Sequence, residues 1–165
     1  MRVLLFLFLW WPISALADWQ WTKWGMSPEE VVSASREKAR LATDDEKEKQ
    51  SVSAGSKVTQ LMLAVSEHDS GDLRFRVLFL FDPVSRQLMC VRLDPGRSTT
   101  AARLRSDLIG VYGKPVDEKR DNIVSGIWIA RSIWVGEDRI ELLSTSTGSA
   151  TISYCNRRAG QAGGL

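Results

Sequence analysis

Residues 73–95 read LRFRVLFLFDPVSRQLMCVRLDP, the densest run of strand-forming residues in the chain. Leu73, Phe75, Val77, Phe79 and Phe81 alternate onto one face, while Arg74 and Arg76 open the other before Leu78 and Leu80 take it over. A period of two predicts a β-hairpin with one face in a core and the other half solvated. Asp82-Pro83-Val84-Ser85-Arg86 supplies the turn, because proline fixes φ and cannot extend a central strand, and aspartate bonds its own backbone. Leu78 and Leu80 then mark a surface that either a helix covers or a partner uses.

Moving upstream, Lys57–Glu67 reads as a strand, with Leu61, Leu63 and Val65 on one face and Met62 and Ala64 on the other. The intervening Glu67-His68-Asp69-Ser70-Gly71-Asp72 gathers carboxylates around the chain's only histidine. Its spacing matches no full calcium loop, and one imidazole is a poor transition-metal set, so it reads as a turn, with no metal site and no cofactor. Ser27-Pro28-Glu29-Glu30 is a helix start, combining an N-cap serine, a first-turn proline and a capping-box glutamate. The helix is expected to run to about Ala42, with the polar residues 43–55 as its solvated end or a loop.

Downstream, Arg97–Tyr112 reads as a second helix, capped by Ser98 or Thr99. Ala101, Leu104, Leu108 and Val111 lie on one side, Gly113 ends it, and Pro115 prevents its continuation. Lys114–Asn122 is expected to be a polar linker, followed by strands at Gly126–Val135, Arg139–Ser144 and Ala150–Asn156. The order is helix, three strands, helix, three strands. This predicts an α+β fold, two αβββ units (about 27–95 and 97–156) forming an antiparallel sheet covered by two helices.

The chain has 165 residues, with 22 Lys plus Arg against 20 Asp plus Glu. That near balance gives no electrostatic reason to expect nucleic acid or a membrane surface as partner. Met1–Ala17 (MRVLLFLFLWWPISALA) has a basic start, a short apolar run and a small-residue site, the pattern of a signal peptide cleaved after Ala17. The apolar run is about half of the roughly 20 residues that a membrane span requires. The expected location is therefore periplasmic or secreted, with a single domain over 18–156, a flexible tail over 157–165 and no membrane span after cleavage. In an oxidising compartment Cys90 and Cys155 are expected to form a disulfide; two separately buried thiols are the alternative. Trp19, Trp21 and Trp24 lie within six positions, either as an arm packed on the core or as a binding surface that stacks on a sugar or peptide.

Trp24-Gly25-Met26-Ser27-Pro28-Glu29-Glu30-Val31, then Leu104-Arg105-Ser106-Asp107-Leu108 and Tyr112-Gly113-Lys114-Pro115, resemble small exported bacterial proteins of tandem αβββ architecture. These are similar in plan to the β-lactamase-inhibitor-protein fold and to the outer-membrane assembly lipoprotein of the SmpA/OmlA type. The chain departs from the lipoproteins in having no lipobox cysteine. The resemblance implies a protein-binding or envelope-associated module.

No nucleophile motif of the G-x-S-x-G kind, no phosphate-binding glycine loop and no zinc-ligand set is present. The expected function is thus a non-catalytic exported module that binds a protein or cell-envelope component. A small secreted hydrolase using paired carboxylates is the alternative.

Overall fold

The computed structural model describes residues 19–54, 57–96 and 99–157, so the expected signal peptide and all of the expected tail beyond Arg157 lie outside the described residues. In chain order the elements are α1 (Pro28–Ala34), β1 (Ala39–Leu41), α2 (Asp44–Gln50), β2 (Val52–Ala54), β3 (Lys57–Ser70) and β4 (Leu73–Phe81). They continue with β5 (Leu88–Pro95), α3 (Ala101–Tyr112), β6 (Asp117–Val124), β7 (Ile127–Val135), β8 (Asp138–Thr145) and β9 (Ala150–Asn156). Among the described residues this is an α+β fold with one nine-stranded antiparallel sheet, ordered β1-β3-β4-β5-β9-β8-β7-β6. β2 pairs with β3 beside β1.

β4 is the most deeply covered strand. Phe75, Val77, Phe79 and Phe81 join the main core with Val31 of α1, Leu104 and Leu108 of α3, and Trp134, Ile140 and Ile152 of the C-terminal strands. The other face of β4 gives Leu78 and Leu80 to a smaller cluster with Met62, Val65, Cys90 and Ala42. Leu78 and Leu80 are 0% and 2% exposed, so the chain itself covers the face that the sequence leaves open to a helix or a partner. The turn forms as its residues require. Asp82 Oδ1 accepts from the Val84 and Ser85 amides at 3.0 and 2.7 Å, and Arg86 takes the left-handed φ of 55°.

The fold departs from the sequence expectation in several places. α1 has its capping box but stops at Ala34 instead of about Ala42. Ser35 Oγ donates to the Val32 carbonyl (2.6 Å) and accepts from the Ala39 amide (2.9 Å), a local alternative to the helical ladder. Arg36 and Glu37 then take left-handed φ of 51° and 71°, and the chain turns into β1, where Ala39 pairs with Ser66. The polar run 43–55 is not a mere helix end but holds α2 and β2.

α2 lies on the face opposite α1 and α3, not on a shared one. Ala42 and Val52, at its two flanks, pack on the Met62–Leu78–Leu80 cluster, and Glu46 reaches Arg76 at 2.7 Å. Residues 67–70 continue β3, with His68 opposite Phe75, so the turn is confined to Gly71 and Asp72. A bulge between Met62 and Ala64 shifts the faces of β3, sending both Leu63 and Ala64 to the main core and Val65 to the smaller cluster. α3 starts at Ala101 with Thr100 and not Thr99 as N-cap, its side chain accepting from the Arg103 amide, while the expected start at Arg97 and the alternative cap Ser98 lie outside the described residues. The expected linker 114–122 contains most of β6, so each helix-led half carries more than three strands. Every residue of β6 is exposed, and its sequence DEKRDNIV shows no alternation because pairing with β7 alone makes it a strand.

α2 is held by polar contacts. Glu46 accepts from the Thr43 amide (2.9 Å) and takes both guanidinium nitrogens of Arg40 at 2.8 Å. Arg40 first, and then the Thr43 amide, hold the Glu46 carboxyl well below the usual range. A lowered folded-state pKa contributes stability that is complete above the unfolded value, near pH 4, and is lost as acid titrates the folded carboxylate. Glu46→Ala is expected to lower unfolding free energy by about 1–2 kcal/mol near pH 7, combining a lost cap and two surface pairs. Urea midpoints of variant and wild type should differ less at pH 3 than at pH 7.

Candidate functional site

Residues 19–26 cross the helix-bearing face of β4 as an arm. Gln20 takes a left-handed φ of 54°, and both the amide and the hydroxyl of Thr22 donate to the Trp19 carbonyl, at 3.0 and 2.8 Å. The Gly25 amide donates to the Leu88 carbonyl (3.0 Å) and the Leu88 amide to the Met26 carbonyl (2.8 Å), which fixes the arm to the start of β5. The rings of Trp19 and Trp21 stand 5.9 and 5.4 Å from that of Phe79 and 6.3 Å from each other. Trp24 turns the other way and donates its indole N–H to Asp138 Oδ1 at 2.8 Å. All three tryptophans are half-buried against the main core, so the arm is packed and still keeps surface to offer.

That surface opens onto a cleft. Between the arm, the end of α3 and the β7–β8 turn lies a cavity of about 500 Å³. Trp19, Tyr112, Trp134 and Tyr154 are its aromatic walls, and Gln20, Lys114, Glu137 and Asp138 bring amide, cation and carboxylates to it. Trp134 is nearly buried and donates its indole N–H to the Gly113 carbonyl at 2.8 Å, which sets the end of α3 against β7. Gly113 takes a φ of 77° to leave the helix, a conformation that suits glycine at this position. Burial first, and then Tyr112 beside it, raise the Tyr154 phenol above its ordinary pKa, so it is a protonated donor at neutral pH.

A second chamber of about 220 Å³ adjoins the first, and Trp19, Tyr112 and Tyr154 line both. It runs under α3 between Leu104 and Leu108 on one side and Phe75, Leu93 and Ile152 on the other. His68, Ser70 and Asp107 also line it, three residue types that hydrolases use. The imidazole is engaged otherwise: Gln20 Nε2 donates to His68 Nδ1 at 2.9 Å, Trp19 meets the ring edge-on at 5.6 Å, and Phe75 stacks on it at 6.4 Å. Asp107 pairs with Arg103 at 3.9 Å. Among the described residues, no three His, Cys, Asp or Glu side chains come together as a metal site.

Of the residues singled out in the sequence, Trp19 lines the cleft directly, Trp24 reaches it through Asp138, and Trp21 supports Trp19 from behind. Leu78 and Leu80 take no part, since they lie on the opposite face of the sheet. Sequence reasoning does not single out Tyr112, Trp134 and Tyr154, although Tyr112 ends the apolar stripe of α3, and Trp134 and Tyr154 lie in expected strands. Cys90 and Cys155 are joined by a disulfide, directly opposite each other where β5 pairs with β9.

Fold and cleft together define an α+β protein with a single large antiparallel sheet and an aromatic cavity at one end of its helix-bearing face. Compared with known protein families, with curated proteins and with solved structures, the chain gives no match to any of them.

Proposed function

We propose that this chain is an exported, non-catalytic module that binds a cell-envelope component, or a protein displayed there, through the cleft beside Trp19. The observation that carries this reading is the 500 Å³ cavity itself, in which aromatic walls converge with a few polar groups, the usual make-up of a ligand site. Export is supported by the Cys90–Cys155 disulfide, since such bonds persist in oxidising compartments, together with the signal-like residues 1–17. Among the described residues no helix is long and apolar enough to cross a membrane. The reading includes two related helix-led halves, each extending the expected αβββ unit by a strand at the edge of the sheet, supported by strand order: β1-β3-β4-β5 and β6-β7-β8-β9 each run in sequence from edge to centre and meet last strand to last strand.

A hydrolase is the second reading, favoured by Ser70, His68 and Asp107 lining one chamber and by Glu137 and Asp138 at the mouth of the other. It is the weaker one, because the His68 ring bonds Gln20 and not Ser70 or Asp107 among the described residues.

Affinity capture from the cell envelope tests the binding reading. Wild-type protein should retain a distinct component, and Tyr112→Ala should retain less than a tenth as much at unchanged melting temperature. Trp21→Ala, by contrast, should lower the melting temperature by several degrees, because Trp21 packs on Phe79. Equal retention by wild type and Tyr112→Ala would remove the cleft from binding.

A further inference from the structure

We propose that the two adjoining chambers form one site for a small neutral amphiphile, with a short alkyl or aryl tail under α3 and a hydroxyl-rich head, such as a sugar, at the mouth. This rests on the cleft being a binding site and names what it takes. Beside the main core, the open inner chamber of about 220 Å³ offers an apolar wall on which a guest can bury surface that would otherwise face water. Leu104, Leu108, Phe75, Leu93 and Ile152 form its apolar wall and His68, Ser70 and Asp107 its polar one, so an apolar tail would lie along the former.

The mouth has a different chemistry. Trp19, Tyr112 and Tyr154 belong to both chambers, where the C–H face of a sugar ring could lie against them. Around them Lys114 donates, Glu137 and Asp138 accept, and Gln20 does both. An anionic head would meet the two carboxylates and a cationic head would meet Lys114. A neutral head that both donates and accepts meets Lys114 and Glu137 alike without a like-charge contact, Asp138 already accepting from Trp24.

Calorimetric titration of the full chain with n-octyl β-D-glucoside, kept below its micelle concentration, tests this, with glucose and octanoate as separate arms. The expected result is saturable binding of the glucoside, with glucose and octanoate each at least tenfold weaker. Val111 is 74% exposed and lines the inner chamber, so Val111→Trp should fill that chamber without disturbing the core and weaken binding at least tenfold. Tyr112 is 46% exposed and walls both chambers, so Tyr112→Ala should weaken it in the same direction. Absence of saturable heat, or binding unchanged in both variants, would overturn the proposal. Octanoate binding as tightly as the glucoside would refute the neutral head. If envelope capture still depends on Tyr112 while the glucoside gives no heat, the ligand class falls and the binding reading stands; if capture shows no such dependence either, both fall.

Discussion

Replacing Phe79 with alanine is expected to lower unfolding free energy by about 3–5 kcal/mol, the cost of a fully buried phenylalanine whose site cannot collapse. Phe79 is 0% exposed at the centre of β4, between the bulk of the main core and the tryptophan arm. Its ring is where Trp19 and Trp21 both rest, at 5.9 and 5.4 Å. Aromatic pairs of this kind add about 0.5–1.5 kcal/mol each beyond area burial, so the loss should fall in the upper part of the range. Phe81→Ala is the matching control, because Phe81 is equally buried in the same cluster but has no ring pair with the arm. Denaturant midpoints should fall for both variants. Near-ultraviolet circular dichroism of the folded protein should change strongly only for Phe79→Ala, because only that change frees Trp19 and Trp21. An identical spectrum in the two variants would mean that the arm is held by the backbone bonds of Gly25 and Met26 to Leu88 and not by its floor.

The dependence of the arm on β4 also shows which parts of this molecule are legible in the sequence. Residues 73–95 read correctly because their alternation is long, is bounded by a turn of characteristic residues, and serves burial on both faces. Ser27-Pro28-Glu29-Glu30 reads correctly as a helix start, since capping is local chemistry. Its end does not, because the helical pattern that runs on to Ala42 is overruled by the Ser35 side-chain bonds, the left-handed Arg36 and Glu37, and the pairing of Ala39 with Ser66, a contact made by distant chain. β6 is illegible for the same reason: no residue in it is buried, so no hydrophobic pattern can report it. Its charges are spent locally, with Glu118 bonded to Arg105 and Ser132, and Arg120 lying 4.3 Å over the Trp128 ring. The cleft is legible only at Trp19, because its other walls come from the end of α3, the β7–β8 turn and the last strand. Cys90 and Cys155 can be read as potential partners, but that they stand opposite each other follows only from the pairing of β5 with β9.

That pairing is the seam of the whole sheet, and cutting its disulfide is expected to lower unfolding free energy by about 4 kcal/mol. The figure is the chain-entropy value for a closed loop of this size, the two cysteines being 65 residues apart in sequence. β5 meets β9 through four residue pairs, Cys90 with Cys155 to Leu93 with Ile152, whereas β3 meets β4 through nine and β8 meets β9 through seven. The seam is therefore the shortest run of pairing between neighbouring long strands, and it joins the residues before α3 to those after it. The apolar side chains of the seam, Val91, Leu93 and Ile152, face the main core on one side, while the sulfurs sit with Met62 and Leu80 on the other. Reduction thus frees the two halves to separate in the unfolded chain while leaving the folded core largely as it is. Urea unfolding of the reduced protein, obtained with a thiol-free reductant, and of the Cys90→Ala/Cys155→Ala double variant should both show a lowered midpoint and a steeper slope than the oxidised protein, because the unfolded chain without the cross-link exposes more surface. A shift below about 1 kcal/mol in both would show that strand pairing and core hold the seam unaided, and that unfolded chain retains the two halves in proximity. The larger shift would make folding depend on an oxidising environment. Protein made under reducing conditions should then open first along β5 and β9, where amide hydrogen exchange would be fastest relative to the oxidised protein.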